Sequence, residues 1–431
     1  MQSYFTVTPS AARLTHSLRD IGYDFASAVA DLVDNSIAAG AAEVRIDIAF
    51  DGEDSTVMVA DDGDGMTSNA VNEALRFGSR RDYEEGELGR YGLGLKTASL
   101  SQCRSLTVVS RRKGGARTTV RQIDLDLIAN LDQWVVADPG RTPAVVRARQ
   151  RIAEGMNTVV VWDYLDRVLP EDMDGGWARR RLDATATKTM EHLSMVFHRY
   201  LAGATPAAKI DIIVNGQKLE PWDPFATSEP ETTELATQTF ELQLGDTTGI
   251  VRLRRFILPS RDRFSSVTEF EAKSGPLKWN RQQGLYIYRA DRLVQWGGWG
   301  GVRAIDEHTK LARASIDFGT VLDPLFNINV AKMRVSLPTQ LRQMLERPVH
   351  ELCSQAGSFY RGPKTEAPSQ PKEARRSVEL SAGNAQASAS AGLALRSAAL
   401  QSGDFDALKR IAVVLRDQVP ELAAHLGLDS L

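Results

Sequence analysis

The sequence predicts a layered α/β protein in which helices cover a mixed β-sheet. Apolar residues recur at helical spacing between Asp24 and Ala39, which indicates an amphipathic helix. Residues 44–48 then alternate between apolar and polar, as a half-buried strand does, and residues 56–59 form a second apolar strand. This strand ends just before a run of aspartates and glycines, so a helix, two strands and a polar loop are expected in that order.

The elements that follow complete the first predicted domain, residues 1–169. Thr67 can cap a short helix, and residues 78–89 are polar and typical of a mobile loop. Residues 105–126 predict a hairpin that turns at 113–115, and residues 158–162 predict another strand. We expect all helices of this domain to lie on one face of the sheet.

A second α/β unit is predicted over residues 170–345. Its elements are a helix at 179–201, a hairpin at 210–219 around Asn215-Gly216, and one strand at 285–293. Ser336 can cap a further helix with Pro338 in its first turn, and a kink is expected at Pro348. Residues 346–361 continue that helix as a connection.

The remaining sequence changes character. Residues 362–390 are rich in Pro, Ser, Ala, Lys and Glu, which predicts a flexible linker. Residues 391–431 are expected to form a helical tail with one amphipathic helix. Such a tail suits docking or oligomerisation, or a helix folded back onto the body.

Composition places the chain among soluble globular proteins. Of its 431 residues, 42% are hydrophobic and 25% are charged, and the formal net charge is −3. A binding site for nucleic acid would therefore need a local basic patch. Two cysteines, Cys103 and Cys353, have no metal-binding or redox spacing. With neither a signal pattern nor a membrane-length apolar run, a cytoplasmic protein without membrane partners is expected.

The first motif, Asp31-Leu-Val-Asp-Asn35, lies on the predicted helix. Asp31 and Asn35 are four residues apart, so both project from one face. Phosphoryl transfer to water needs a carboxylate that orients the water and an oxygen ligand for Mg²⁺. A carboxylate and an amide one turn apart supply both, although acidic and amide residues are also usual on a solvated helix face.

The second motif is Asp61-Asp-Gly63-Asp-Gly65-Met66-Thr67. Asp61 follows an apolar strand, where its carboxylate can accept a hydrogen bond from an exocyclic amine such as that of adenine. Gly63 and Gly65 permit close approach of the backbone or positive φ angles. The bland alternative is a strand-to-helix turn, since Asp-Gly pairs are common turn formers.

The third motif is Gly89-Arg-Tyr-Gly92-Leu-Gly94-Leu-Lys96. Glycines before a helix present backbone N–H groups to phosphate oxygens, and Lys96 could contact the terminal phosphate. A surface lysine on the new helix is the alternative.

With these motifs in this order, the chain resembles the GHKL ATPases, which have the Bergerat ATP-binding fold. Residues 28–48, AVADLVDNSIAAGAAEVRIDI, are most similar to MutL, and the segment GELGRYGLGLKTASL is more similar to the MORC proteins. The resemblance implies a Bergerat-type α/β sandwich, then a smaller α/β transducer domain, with ATP and Mg²⁺ as ligands. It covers roughly residues 10 to 345 and leaves the tail without a counterpart.

The resemblance also implies roles for individual residues. The magnesium ligand would be Asn35, the adenine-binding aspartate Asp61, and the threonine near adenine Thr158; Gly63, Gly65, Met66 and the glycines 89, 92 and 94 would surround the nucleotide. The glycine that usually accompanies the threonine is displaced here to Gly155. The usual catalytic glutamate falls on Asp31, one methylene shorter, which implies slow hydrolysis.

A second-domain lysine adds to the resemblance. Asn327-Ile-Asn-Val-Ala331-Lys332 resembles the lysine loop of the MutL transducer, in which the lysine reaches the γ-phosphate. An exposed lysine after a strand is the alternative. The resemblance thus implies an ATPase whose lid and transducer close on ATP and bring two copies together as a homodimer.

The expected client is DNA or a DNA-processing partner such as a nuclease. Three basic clusters could bind it: residues 111–113, residues 179–181, and Arg252 with Arg254 and Arg255. In the third cluster, Arg252 and Arg254 would lie on one face of a strand. A solvated face is the alternative for each cluster. From other functional classes, a non-hydrolysing ATP-gated interaction module or a chaperone-like protein also fits, whereas a histidine kinase or a topoisomerase does not.

Overall fold

The computed structural model describes most of the chain up to residue 361 and selected residues of the tail. The described residues are 5, 7, 9–20, 22–52, 54–78, 93–169, 175–205, 208–245, 247–328, 335–361, 399, 405–418, 420, 423 and 428. The chain divides into two compact units, Met1–Lys364 and Thr365–Leu431, and each has its own core.

The first sheet contains strands from two distant parts of the chain. The strands are β1 (Glu43–Ala49), β2 (Thr56–Asp61), β3 (Ser105–Arg111), β4 (Thr118–Asp124), β5 (Thr158–Asp163), β6 (Asp211–Val214) and β7 (Gln217–Lys218). Their spatial order is β4-β3-β5-β2-β1-β6-β7. Only the β1–β6 pair in this order is parallel, so the predicted mixed sheet is confirmed.

Helices lie on both faces of this sheet. In the first 205 residues they are α1 (Ala11–Arg19), α2 (Phe25–Ala38), α3 (Ser68–Ala74), α4 (Gly94–Leu100), α5 (Leu125–Leu131), α6 (Pro143–Ala153), α7 (Gly175–Val196) and α8 (His198–Ala202). The main core includes α2, α4, α7 and one face of the strands, with Val57 and Val59 of β2 among its buried residues.

The expectation that all helices lie on one face is wrong, because α6 covers the other face. Its residues Val145 and Ile152 form a separate buried cluster with the alternate β2 residues Met58 and Ala60. Thr142 caps α6 by accepting a hydrogen bond from Val145 N, and Pro143 occupies the first turn. Burial on both faces explains why β2 is buried throughout.

The second sheet follows the first and packs against a long helix. Its strands are β8 (Thr233–Leu244), β9 (Thr247–Ile257), β10 (Gly284–Arg289), β11 (Arg292–Trp296) and β12 (Ala312–Phe318), in the order β11-β10-β12-β9-β8. The helices of this region are α9 (Val267–Lys273), α10 (Lys278–Gln282), α11 (Asp323–Phe326) and α12 (Thr339–Arg361). Residues of α12 such as Leu345 and Leu352 bury one face of the sheet.

Three details of the second predicted unit differ from expectation. The hairpin at Asn215-Gly216 exists, with φ of 47° and 81°, but its strands extend the first sheet. The single strand expected at 285–293 is the hairpin β10–β11, turned by Ala290 and Asp291 at φ 45° and 65°. α12 begins at Thr339, after Pro338, and Pro348 lies inside it, where the expected kink stays a prediction.

The C-terminal unit, Thr365–Leu431, contains α13 (Phe405–Gln418), the expected amphipathic tail helix. Leu408 and Ala412 are buried with Leu428, whereas Ile411 and Val414 are exposed. In the described part of the chain, helices that combine the length and the apolar character needed to cross a membrane are absent.

Candidate functional site

The first motif lies on α2, whose start is defined by a cap. Asp24 accepts a hydrogen bond from Ser27 N at 2.9 Å and begins the helix. Two turns later, Asp31 is 2% exposed and accepts a hydrogen bond of 2.6 Å from the Tyr23 hydroxyl. Burial, and then the nearby Asp31 carboxylate, raise the pKa of Tyr23 far above its usual value, so the phenol stays a proton donor.

The other two polar residues of this motif point to different surroundings. Asn35 is exposed, as a metal or nucleotide ligand at a site mouth would be. Asp34 is buried, and its Oδ1 lies 3.2 Å from Nε of Arg292 on β11. The motif therefore faces the candidate site on one side and the second sheet on the other.

Asp61 ends β2 as a buried carboxylate, 6% exposed. Its Oδ1 accepts a hydrogen bond from Gly63 N at 3.1 Å, and its Oδ2 accepts one from the Ser36 hydroxyl of α2 at 3.2 Å. Burial raises the pKa of Asp61 to about 6, against the opposing effect of these two donors. The carboxylate is thus fixed between helix and sheet and is mostly ionised at neutral pH.

The glycines of the second motif are required by close backbone packing. A Cβ on Gly63 would lie 2.7 Å from the Ala39 carbonyl oxygen at the end of α2. A Cβ on Gly65, where φ is +62°, would lie 2.0 Å from the Arg111 carbonyl oxygen of β3. Met66 N, one residue later, donates a hydrogen bond of 2.9 Å to the Ser110 hydroxyl.

Thr158 lies directly opposite Asp61, because strand register pairs these two residues across β2 and β5. Ser110 of β3 pairs with Thr158 on the other side, and their hydroxyl oxygens are 3.0 Å apart. The neighbouring Asn157 donates to the Gly63 carbonyl oxygen at 2.8 Å. Three strands therefore bring a carboxylate, a threonine and a serine together at one end of the sheet.

The third motif is described only in part. Gly89 and Gly92 lie outside the described residues, whereas Gly94 begins α4. A Cβ on Gly94 would lie 3.3 Å from Oδ2 of Asp31, so this glycine backs directly onto the first motif. The described geometry thus brings the first and third motifs together.

Lys96 has an orientation that its position in the sequence did not indicate. Its side chain is 1% exposed, and Nζ donates a hydrogen bond of 2.8 Å to the Ala74 carbonyl oxygen at the end of α3. Burial lowers the pKa of Lys96 to about 8. The alternative interpretation of Lys96 as a surface lysine is therefore wrong. The phosphate contact stays a prediction, as does the role of Lys332, which lies outside the described residues.

The basic clusters differ in how available their side chains are. Arg255 is buried and donates to the carbonyl oxygens of Ala236 and Pro348, so it is not a surface cation. Arg254 forms an ion pair of 2.8 Å with Glu234, whereas Arg252 is exposed on β9. Arg112 and the next residue, in the β3–β4 turn, are also exposed.

Four site residues could not be identified from the motifs. They are Tyr23, Ser36, Ser110 and Asn157, which hold Asp31, Asp61, Met66 and Gly63 respectively. Ser36 directly follows the first motif and Tyr23 precedes the helix that carries it, whereas Ser110 lies on β3 and Asn157 directly before β5. Polarity at the ends of predicted strands was the available signal for Ser110 and Asn157.

The donor set fits an adenine nucleotide with Mg²⁺. The backbone at Gly63 and Gly65 has no room for a side chain, and the neighbouring Asp61 carboxylate can accept further hydrogen bonds. The described residues contain no cluster of three or more His, Cys, Asp or Glu side chains able to hold a metal alone. Mg²⁺ is commonly held by one or two protein groups together with phosphates, which suits an exposed amide such as Asn35.

Part of the chain is similar in sequence to known proteins. Residues 23–153 match the family model described as histidine kinase-, DNA gyrase B-, and HSP90-like ATPase. The chain is 35% identical to Protein MICRORCHIDIA 5 of Arabidopsis thaliana over 94 residues, covering 20% of this chain and 13% of that protein. It is 34% identical to ATPase morc-1 of Caenorhabditis elegans over 90 residues, covering 20% and 10%.

The DNA mismatch repair protein MutL of Halobacterium salinarum is 36% identical over 115 residues, covering 24% of this chain and 17% of that protein. The chain therefore spans less than a fifth of the length of each of these relatives.

Proposed function

We propose that this chain, whose residues 23–153 form a domain of the histidine kinase-, DNA gyrase B- and HSP90-like ATPase family, binds ATP with Mg²⁺ and hydrolyses it slowly. The observation that carries the proposal is the Asp61 carboxylate, buried at the end of β2 and held by Ser36 and Gly63. A buried carboxylate beside two glycines suits recognition of a base that carries an amine.

Asp61 would accept a hydrogen bond from the exocyclic amine of adenine. Gly63, Gly65 and Met66 would let the backbone approach the base, and Thr158 would lie beside it because it is the register partner of Asp61. Ser110 fixes both Met66 N and the Thr158 hydroxyl, so these groups keep one arrangement. Such preorganisation favours binding because little side-chain freedom is lost.

Asn35 would hold Mg²⁺, and Asp31 would orient the attacking water and accept its proton. Bound Mg²⁺ supplies charge neutralisation at the phosphates. Asp31 lies one methylene short of the glutamate usual in this family, which supports slow turnover. Gly89, Gly92, Gly94 and Lys96 would contact the phosphates, and Lys332 would reach the γ-phosphate from the second sheet region.

ATP binding would close the loop predicted at 78–89 and favour a homodimer. Contacts formed only in the closed state shift the population toward it. The relatives include a protein named for DNA mismatch repair and two MORC proteins, which supports DNA or a DNA-processing partner such as a nuclease as the client. Exposed Arg112, Arg180 and Arg252 are the cations that would meet it.

A second candidate function is a non-hydrolysing, ATP-gated interaction module. The observation that favours it is Asp31 itself, which is short and already accepts a hydrogen bond from Tyr23. In that case ATP would act as a conformational ligand for a protein partner, in a chaperone-like role.

Calorimetry and turnover assays test both candidates. The parent protein should bind ATP and ADP. Asp61→Asn should weaken the binding of both about 10- to 100-fold, since the asparagine amide N–H would face the adenine amine, which is itself a hydrogen-bond donor. Hydrolysis that Asp31→Ala removes supports the ATPase, and ATP binding without turnover supports the interaction module. An Asp61→Asn variant with the parent's affinity contradicts the adenine assignment.

A further inference from the structure

In the folded protein Tyr23 lies beside both the first and the third motif, although it precedes both in the sequence. Its hydroxyl donates to Asp31 Oδ2 at 2.6 Å, and the nearby Thr97 side chain of α4 opposes the rise in the pKa of Tyr23. Thr97 is three residues after Gly94, whose Cα faces the same Asp31 oxygen. Tyr23 therefore lies where the helix that carries Asp31 meets the helix that follows the glycines.

The backbone of Tyr23 is held as firmly as its side chain. Gln102 donates a hydrogen bond of 3.2 Å to the Tyr23 carbonyl oxygen, and Tyr23 is 8% exposed within the main core. The next residue, Asp24, caps α2, so the helix begins directly after the tyrosine. The hydroxyl thus has a fixed position relative to the Asp31 carboxylate.

The protonated phenol keeps this contact in place. The raised pKa of Tyr23 keeps its proton on the phenol, and a donor facing a carboxylate forms a charge-assisted hydrogen bond. Because that bond fixes one carboxylate oxygen, it also fixes the plane of the carboxyl group. A short aspartate has less reach than a glutamate, so correct orientation matters more for it.

We propose that Tyr23 is a positioning residue for ATP hydrolysis, which holds the Asp31 carboxylate in the orientation needed to activate water. The inference rests on the proposed function. Since Tyr23 contacts α2 and α4, it would also make that orientation depend on the glycine segment that precedes α4. Tyr23 acts through Asp31 and does not bind nucleotide itself.

Tyr23→Phe tests the proposal because it removes one hydroxyl and keeps the buried ring. We expect kcat to fall about 10- to 100-fold while the affinity for a non-hydrolysable ATP analogue changes less than about twofold. Tyr286→Phe is the matched control. Its hydroxyl is also buried and donates to the Gln282 carbonyl oxygen at 2.8 Å, in the second sheet. The control should keep the parent's kcat.

The outcomes separate this inference from the proposed function. An unchanged or higher kcat in Tyr23→Phe overturns the inference, and so does a parallel loss of kcat and analogue affinity, which would indicate a structural role. A parent that binds ATP without Asp31-dependent turnover also overturns it and leaves the nucleotide site intact. A parent that binds no nucleotide overturns the proposed function as well.

Discussion

Nε of Arg292, on β11, lies 3.2 Å from Oδ1 of Asp34, on α2, and both side chains are at most 4% exposed. This ion pair joins residues 258 positions apart and connects the helix of the first motif to the second sheet. The guanidinium also donates to the Leu293 carbonyl oxygen and lies over the Phe197 ring. Removing only one partner of such a buried ion pair strongly destabilises the folded protein.

Arg292→Met should lower the free energy of unfolding by about 3–5 kcal/mol, because the variant leaves the Asp34 carboxylate buried without its guanidinium. Arg254→Met is the matched control, since Arg254 pairs with Glu234 at the surface and should cost less than about 1 kcal/mol. Urea denaturation measures both. Equal losses in the two variants would show that burial does not determine the strength of the Arg292 contact.

Gly65→Ala should destabilise the protein by several kcal/mol, roughly 3 or more, because its Cβ would overlap the Arg111 carbonyl oxygen. Gly114→Ala serves as the control. Gly114 has a similar φ of +75° and open space around its Cβ, so only the backbone cost of about 1 kcal/mol applies. If thermal unfolding shows similar shifts, the close approach at Gly65 is not rigid.

Asp61→Asn should change stability in a pH-dependent way. The pKa of Asp61 is about 6 in the folded protein against an ordinary 3.8, so its burial costs stability above pH 6 and costs nothing below 3.8. The variant should therefore gain up to about 3 kcal/mol relative to the parent at pH 8 and nothing at pH 3.5. Denaturation at the two pH values checks this. A constant difference would mean that the carboxylate is not desolvated.

Lys96→Met should show the opposite kind of pH dependence. The pKa of Lys96 is about 8 when folded against an ordinary 10.5, so burying the ammonium costs stability below pH 8 and this cost disappears above 10.5. Relative to the parent, the variant should be most stable near pH 7 and lose about 3 kcal/mol of that advantage by pH 10.5. If Lys96 contacts phosphate, ATP affinity falls in the same variant.

Asn35→Ala should leave stability unchanged, since the side chain is exposed. Nucleotide affinity should fall about tenfold in the presence of Mg²⁺, as one oxygen ligand is lost, and should match the parent in EDTA. Calorimetry under the two conditions gives the comparison. An equal loss in both would place Asn35 against the nucleotide rather than the metal.

Local patterns predicted the elements that carry the motifs. The spacing of apolar residues indicated α2, and alternation indicated β1, β2 and the β3–β4 hairpin. Thr67 caps α3 as expected, by accepting a hydrogen bond from Ala70 N. These elements obey sequence rules because their own residues determine both their geometry and their burial.

Long-range relationships were not predictable in the same way. α6 has a cap and a proline at its start, yet nothing in its own residues shows which face of the sheet it covers. The orientation of Lys96 depends on Ala74 in another helix, and the contact between Tyr23 and Asp31 depends on how α2 begins. Such contacts follow from tertiary packing, which overrides local preference.

The parallel pairing of β1 with β6 determines how the chain can be divided. β1 lies between β2 and β6, and Val44 pairs with Ile212, so a fragment ending at residue 169 would leave one edge of β1 without its neighbour. Exposed strand edges recruit other chains and promote aggregation. A soluble fragment that keeps the candidate site would therefore need to extend through the β6–β7 hairpin, past residue 218.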